Sequence, residues 1–241
     1  MSGTRITNKG ALSLFTTTFM LSAILTDKLT TLLYLVPLAI LNAFTIERLY
    51  PKLISWKFET KDYLLAGANV IPYAFLFNVF LLLPLAFLVS AYVLSYFRFR
   101  MAPVLLGTYA VSSFYLPWTD MLASVNFGVY SIFLTWMLYT LTQSLLVEYK
   151  APFRKNVKSN HVTVSWIISL IALIPLSSIF LPTLLLGLIE PTIRFLRPGS
   201  KLSSGKEMRS LGRELSKRTM ILVSVLVISE ILIRFNLVHV L

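Results

Sequence analysis

The sequence predicts an all-α polytopic membrane protein, built from helical hairpins plus a final C-terminal helix, with about seven to nine membrane segments. Three observations predict this class. The 241 residues are 56% hydrophobic, which is more apolar surface than a soluble domain of this length buries. The apolar residues form long blocks, and the basic residues concentrate between them. We therefore expect residues 1–241 to form a single helical transmembrane domain in the cell membrane.

The first apolar block covers residues 10–46 and is interrupted only by the polar residues 26–28. Two helices joined at that polar tip would each be slightly shorter than a hydrocarbon core of about 30 Å. The block therefore predicts a hairpin. The next segment, 47–62, mixes both signs of charge and contains Trp56, which is typical of a segment at the membrane interface.

The blocks 63–97 and 161–193 are too long for one ordinary span and barely long enough for two. If each block forms a hairpin, with its tip near Asn78 or near Pro175, the basic segments between blocks all lie on one side of the membrane. Lys28 alone then lies on the other side. Single crossings would instead place basic segments on both sides, so the preference of Lys and Arg for the cytoplasmic side favours the hairpins.

Two further segments complete the pattern. The block 101–147 is expected to bend at residues 117–120, with one span on each side, and a basic loop at 148–160 follows it. The last segment, 219–241, is expected to form a final helix. The seven-span arrangement, in which 63–97 and 161–193 each cross once, remains the alternative.

The most basic segment, 194–218, orients the whole chain because Lys and Arg beside membrane spans stay on the cytoplasmic side. On a helical wheel Met208, Leu211 and Leu215 gather toward one side, and basic residues occupy the others. Ser204 followed by Glu207 matches a capping box. We predict a basic amphipathic helix on the cytoplasmic membrane surface. The basic residues of the segment are Arg194, Arg197, Lys201, Lys206, Arg209, Arg213, Lys217 and Arg218.

This helix has two interpretations. It can rest on anionic lipid as a surface segment between two spans, or it can dock a partner protein or a polyanion. The candidate docking residues are Lys206, Arg209, Arg213, Lys217 and Arg218. In the last helix, Glu230 and Arg234 have the spacing of an ion pair on one helix face, and we predict an intramembrane pair there.

An enzyme is the main alternative. Asp27 and Asp120 are the acids expected on the outer side, and two aspartates that share one proton form the catalytic pair of membrane aspartyl peptidases. The chain is similar to archaeal prepilin peptidases in size and in its basic loops. That family places its second aspartate in a GxGD-type motif, which residues 117–120 lack. A lipid-modifying transferase is another possibility within this class.

Metal and cofactor sites are not expected. The chain has no cysteine, and His161 and His239 have no carboxylate or second histidine at ligand spacing. Prolines interrupt the apolar blocks repeatedly, and broken helices recur in transporters. These prolines are Pro37, Pro72, Pro84, Pro103, Pro175 and Pro182.

The leading functional hypothesis is a non-enzymatic subunit of a transport or translocation apparatus. It would form part of a membrane passage for a polyanionic cargo such as DNA and would dock a cytoplasmic motor. The expected partners are the lipid bilayer, other membrane subunits and a cytoplasmic ATPase, with nucleic acid as a possible cargo. A structural anchor subunit of a membrane complex is the third reading.

Overall fold

A computed structural model describes residues 9–55, 57–99, 101–152, 154 and 156–235. All the regular secondary structure in these ranges is helical, which confirms the predicted all-α class. The α-helices are α1 Lys9–Ile24, α2 Leu29–Ser55, α3 Thr60–Phe75, α4 Leu82–Tyr96, α5 Ala102–Ser113, α6 Tyr115–Leu122, α7 Phe127–Lys150, α8 Ser159–Phe180, α9 Leu184–Leu196 and α10 Gly205–Arg234, and a 3₁₀ helix, Val79–Leu81, precedes α4.

The chain forms two compact units that divide between Ser124 and Val125. Unit 1 contains α1 to α6, and unit 2 contains α7 to α10. Each unit buries its own set of apolar side chains. Whether the two units together form the single membrane domain that the sequence predicts stays a prediction.

Four helical segments in the described part of the chain are long and apolar enough to cross a membrane, which indicates a membrane protein. They are Leu29–Lys52, Val79–Tyr96, Phe127–Lys150 and Ser159–Phe180. The predicted total of seven to nine segments requires the shorter helices to cross as well, and length and composition alone do not establish that.

The core of unit 1 lies where α1, α2 and α6 meet. The Trp118 ring packs edge-on against the rings of Phe15 and Phe19, with 5.2 Å between ring centroids in each pair. The polar tip at residues 26–28 forms the turn between α1 and α2, as predicted. The Asp27 backbone N–H donates to the Leu122 carbonyl over 2.9 Å, so this turn lies at the C-terminal end of α6.

The block 63–97 contains two helices, α3 and α4, with its break near Asn78 as predicted. The Asn78 side chain accepts from the Leu81 N–H and so caps the 3₁₀ helix. Its amide also donates to the Pro117 carbonyl over 2.9 Å. A short polar side chain that satisfies backbone groups at a helix start is a common reason for a chain to turn at such a position.

The block 161–193 also doubles back, as α8 and α9. The Thr163 hydroxyl donates to the Phe195 carbonyl over 3.2 Å, and the Trp166 indole N–H donates to the Thr192 hydroxyl over 3.0 Å. These bonds join the start of α8 to the end of α9, so the two helices are antiparallel. The turn lies at residues 181–183, not near Pro175 as predicted.

Several proline predictions are wrong in the same way. Pro37, Pro72 and Pro175 lie inside α2, α3 and α8, and each helix continues past its proline. Membrane helices tolerate proline because neighbouring groups and local adjustments satisfy the freed backbone groups. These three prolines therefore do not break their helices and do not support the interpretation of a transporter.

The bend expected at residues 117–120 is also misplaced, because these residues are helical within α6. Pro117 is the third residue of that helix, where its missing N–H would have no partner within the helix in any case. The chain turns instead at residues 123–126. There the Asn126 side chain accepts from the Val129 N–H over 3.0 Å and caps α7.

The pairing of α8 with α9 can be tested by labelling. The native chain has no cysteine, so single cysteines report without interference. We expect Asn160→Cys and Ser200→Cys to react with a membrane-impermeant maleimide from one face of the membrane, and Pro182→Cys only from the other. Reaction of all three from the same face would contradict the antiparallel arrangement as a membrane hairpin.

Candidate functional site

The cationic residues predicted to dock a partner lie on the first half of α10. This helix runs without a break from Gly205 to Arg234, so residues 205–218 of the basic segment and residues 219–234 of the final apolar segment belong to one helix, not the two that the sequence predicts. Arg209, Arg213 and Lys217 are exposed and four residues apart, so they line one face of the helix. We call these three residues the cationic strip. Lys206 belongs to α10, but its side chain lies outside the described set.

The opposite face of this half-helix is apolar and faces the protein. Leu215 is buried, and Met208 and Leu211 are half-buried. Residues 208–217 thus have one apolar and one basic face, and their predicted place on the cytoplasmic membrane surface stays a prediction. Because the apolar face packs against the protein, the helix is fixed in place and the cationic strip points away from the protein.

The start of α10 is capped as the sequence predicts. The Glu207 N–H donates to the Ser204 hydroxyl over 3.4 Å, and the Glu207 carboxylate accepts from the Ser203 hydroxyl and N–H. Hydrogen bonds from Ser203, first from its hydroxyl and then from its N–H, lower the pKa of Glu207. The carboxylate therefore stays ionised near the positive end of the helix dipole, where it stabilises the helix start.

Within the described ranges, the three residues of the cationic strip form no ion pair with a carboxylate. Arg218, the fifth predicted docking residue, pairs with Glu190 at 3.4 Å and with Glu214 at 2.6 Å. The strip charges are thus available to an external anion, whereas Arg218 is already engaged.

The two basic segments of unit 2 that follow α7 and α9 are adjacent. The Tyr149 hydroxyl donates to the Gly199 carbonyl over 2.7 Å, and the Lys150 ammonium donates to the Ser200 carbonyl over 2.7 Å. Lys201 donates in turn to the Arg154 carbonyl. Gly199 has φ of +67°, which a residue with a side chain rarely adopts. The C-terminal end of α7 and the segment between α9 and α10 therefore meet at the same end of unit 2.

A buried polar cluster, which the sequence analysis missed, joins α7, α9 and α10. Arg194 is only 8% exposed, and its Nη2 donates to the Tyr139 hydroxyl over 2.9 Å. The same nitrogen lies 3.3 Å from a Glu190 carboxylate oxygen. The Tyr139 hydroxyl also hydrogen-bonds to Thr219 of α10 over 2.8 Å, and Gln143 bonds to the same threonine.

Aromatic rings complete the surroundings of Arg194. Its guanidinium carbon lies 4.6 Å from the centroid of the Phe195 ring and 5.4 Å from that of Tyr139. Among the described residues, Nε and Nη1 have no hydrogen-bond acceptor. Attraction to the ring faces and the ion pair with Glu190 compensate part of the cost of burying this charge. The sequence signal was the i, i+4 spacing of Glu190 and Arg194, the same spacing noted for Glu230 and Arg234.

The predicted ion pair in the second half of α10 stays a prediction. Glu230 is fully buried, and Arg234 is exposed near the end of the helix. Both residues take part in interactions within the protein. The exposed position of Arg234 is compatible with its charge reaching the membrane surface.

The remaining candidate residues are two aspartates and two histidines. Asp27 and Asp120 lie at the same end of unit 1, since the Asp27 N–H bonds to Leu122, but whether they act as a catalytic pair stays a prediction. His161 accepts from the Lys158 N–H at the start of α8, and His239 lies outside the described residues. The searched part of the chain contains no group of three potential metal ligands, and the expectation of no cofactor is untested.

A second charged cluster lies in unit 1, where α2 and α3 approach each other. The Asp62 carboxylate is fully buried and accepts from Arg48 at 2.9 Å, from Lys52 at 2.5 Å and from the Glu59 N–H at 2.8 Å. The hydrogen bond from Lys52, followed by those from the Glu59 backbone and Arg48, lowers the pKa of Asp62 to about 2. This cluster fixes the start of α3 against α2.

The lowered pKa of Asp62 predicts acid sensitivity. Its stabilisation is complete above the unfolded pKa of 3.8 and is lost as the pH falls towards about 2. We expect Asp62→Asn to lower thermal stability in detergent at pH 7 and to reduce the loss of stability between pH 4 and pH 2. Glu47→Gln, at an exposed position, is the matched control and should retain the acid-dependent loss. An unaltered pH profile in Asp62→Asn would contradict this role.

The Arg194 cluster predicts a measurable stability difference. Tyr139→Phe removes the acceptor of the Arg194 hydrogen bond and should lower the free energy of unfolding by about 2 kcal/mol, because the buried guanidinium loses a partner. Denaturant unfolding in detergent measures this change. Tyr34→Phe, at a 75% exposed position, should change stability by about 0.5 kcal/mol or less. Equal effects of the two changes would argue against the cluster as a stabilising element.

Comparison with known proteins adds no further constraint. No protein-family model matches the chain, and neither a curated protein nor a solved structure matches it.

Proposed function

We propose that this protein is a non-enzymatic, multi-pass subunit of a transport or translocation apparatus in the cell membrane. Its cationic strip binds a cytoplasmic polyanion, with DNA as the first candidate cargo. The observation that carries the proposal is the set of three exposed cations, Arg209, Arg213 and Lys217, without acidic partners in the described residues, on a helix whose other face is packed. Such an arrangement attracts phosphates and releases their counterions.

The proposed topology has nine membrane segments. The hairpins are α1 with α2, α3 with α4, the bent pair α5 and α6 with α7, and α8 with α9, and the last segment is the second half of α10. The antiparallel bonds between α8 and α9 support this topology. At 1.5 Å per residue α9 is only about 20 Å long, so the bilayer must thin locally around it.

The same topology places the adjoining basic segments around Lys150 and Lys201 on the cytoplasmic side. Lys and Arg in short loops favour that side, where the anionic lipid surface attracts them. The cationic strip then faces the compartment that holds DNA and soluble ATPases. A cytoplasmic motor and other membrane subunits would complete the apparatus.

Binding to DNA tests the proposal directly. The protein is placed in nanodiscs of uncharged lipid, and the dissociation constant for a labelled DNA duplex is measured at several salt concentrations. Replacing Arg209, Arg213 and Lys217 by Gln should weaken binding and flatten the slope of log affinity against log salt by roughly three, since each phosphate contact contributes about 0.9. The matched control replaces the exposed Lys28, Lys57 and Lys61 by Gln.

The two variants lose the same net charge. Comparing their affinities for DNA therefore distinguishes binding at the cationic strip from a general effect of net charge. Equal weakening by both would contradict a specific strip, and unchanged binding in the strip variant would contradict the proposal. If DNA does not bind but a cytoplasmic ATPase co-purifies with the native protein and not with the strip variant, the strip docks the motor and does not bind the cargo.

A further inference from the structure

Helices α3 and α4 of unit 1 flank a space that is partly open to the surroundings. No Cα atom of α3 lies within 8 Å of a Cα atom of α4, although the two helices are consecutive. Residues 76–81 join them at one end. At the other end the Phe58 ring lies 5.9 Å from the Tyr63 ring of α3 and 5.9 Å from the Tyr92 ring of α4. The helices are thus antiparallel, linked at both ends, and farther apart than two directly packed helices.

The space between these helices is a cavity of about 520 Å³, which we call the chamber. Its walls are α3 and α4, and α2 and α5 contribute its inner surface. The volume lies within the range of about 300–1,000 Å³ found for small-molecule sites. Almost all of its surface is apolar, and large apolar side chains such as Ile71 and Val93 are exposed on the outer faces of the same helices. A ligand that enters it must therefore be largely hydrocarbon.

The buried polar groups in the chamber wall are, with one exception, already bonded to other described residues. The Asn42 amide donates to the Tyr73 hydroxyl over 2.5 Å, and the Trp118 indole N–H donates to the same hydroxyl over 3.2 Å. The Thr45 hydroxyl donates to the Leu41 carbonyl. These side chains satisfy each other or the backbone and so require nothing from a ligand.

Asn69 is the exception. It lies in the middle of α3, is only 8% exposed and borders the chamber. Within the described part of the chain its side-chain amide has no hydrogen-bond partner. A buried amide without a partner is unfavourable in apolar surroundings, so its presence indicates a ligand group that bonds to it.

The charges at one end of the chamber limit the kind of ligand. Asp62 borders the chamber, and its carboxylate is neutralised by Arg48 and Lys52. The chamber thus presents no uncompensated charge to a headgroup. We propose that it binds an uncharged membrane lipid, whose hydrocarbon chain fills the space between α3 and α4 and whose hydroxyl or carbonyl group hydrogen-bonds to the Asn69 amide. This proposal does not depend on the function of the cationic strip.

Photolabelling tests the chamber. The probe is a monoacylglycerol with a diazirine in its acyl chain, added to the full-length protein in phosphatidylcholine nanodiscs. We expect labelling of α3 or α4 residues that face the chamber, identified by peptide mass spectrometry. Ala66→Phe places a ring in the chamber and should abolish this labelling, whereas Ala68→Phe, on an exposed face of the same helix, should leave it unchanged.

The role of the amide is tested by Asn69→Leu. Removing an unbonded amide should leave the melting temperature unchanged or raise it, while labelling at limiting probe falls roughly two- to tenfold, the effect of one lost hydrogen bond. A lower melting temperature with unchanged labelling would show that Asn69 has a structural role and would overturn the assignment.

Competition distinguishes the lipid classes. Unlabelled mono-oleoylglycerol should compete with the probe, and phosphatidylglycerol, which carries a negative charge, should compete at least several-fold less well. Equal competition by the two lipids would overturn the assignment of an uncharged headgroup. Labelling that Ala66→Phe does not reduce, or that falls outside the chamber wall, would overturn the chamber as a lipid site.

Discussion

The cost of removing charged and polar groups from water determines where this chain turns and what its turns contact. In unit 2 the ends of α7 and α9 leave the helical region as basic loops, and the two loops bond to each other through Lys150, Lys201 and Tyr149. Each cation reaches a backbone carbonyl that a loop would otherwise leave unpaired. This shared end fixes the register of α7 against α9 and α10, and it places the cationic strip on the same side.

The buried Arg194 illustrates the same cost of removing a charge from water. A lone guanidinium at this depth would be strongly unfavourable, and the protein surrounds it with Glu190, the Tyr139 hydroxyl and two aromatic rings. Replacing it by an apolar residue would leave Glu190 with Arg218 alone. The polar contacts of the buried Arg194 therefore join α7, α9 and α10. They define the relative rotation of these helices more closely than apolar contacts alone would.

Short sequence patterns correctly predicted the turns and the helix faces that depend on neighbouring residues in the chain. The turns at residues 26–28 and near Asn78 were predicted because polar side chains there satisfy backbone groups, and the two faces of α10 follow from its periodicity. The turns assigned to Pro117 and Pro175 were wrong because proline at a helix start costs little and tertiary contacts stabilise it inside a membrane helix. The chamber could not be predicted, since it depends on the distance between α3 and α4, and Asn69 looks like any other amide in an apolar block.

Because α10 is continuous, the cationic strip is directly followed by the ion-paired Arg218. Lys217, the last strip residue, directly precedes Arg218, which is 44% exposed at its side chain and pairs with Glu190. An anionic partner on the strip would compete with Glu190 for Arg218, because both present negative oxygens to the same guanidinium. Glu190 would then be left with Arg194 as its remaining cation. Occupation of the strip is therefore expected to strengthen the ion pair between Glu190 and Arg194, since a carboxylate with one partner interacts more closely with it than one shared between two.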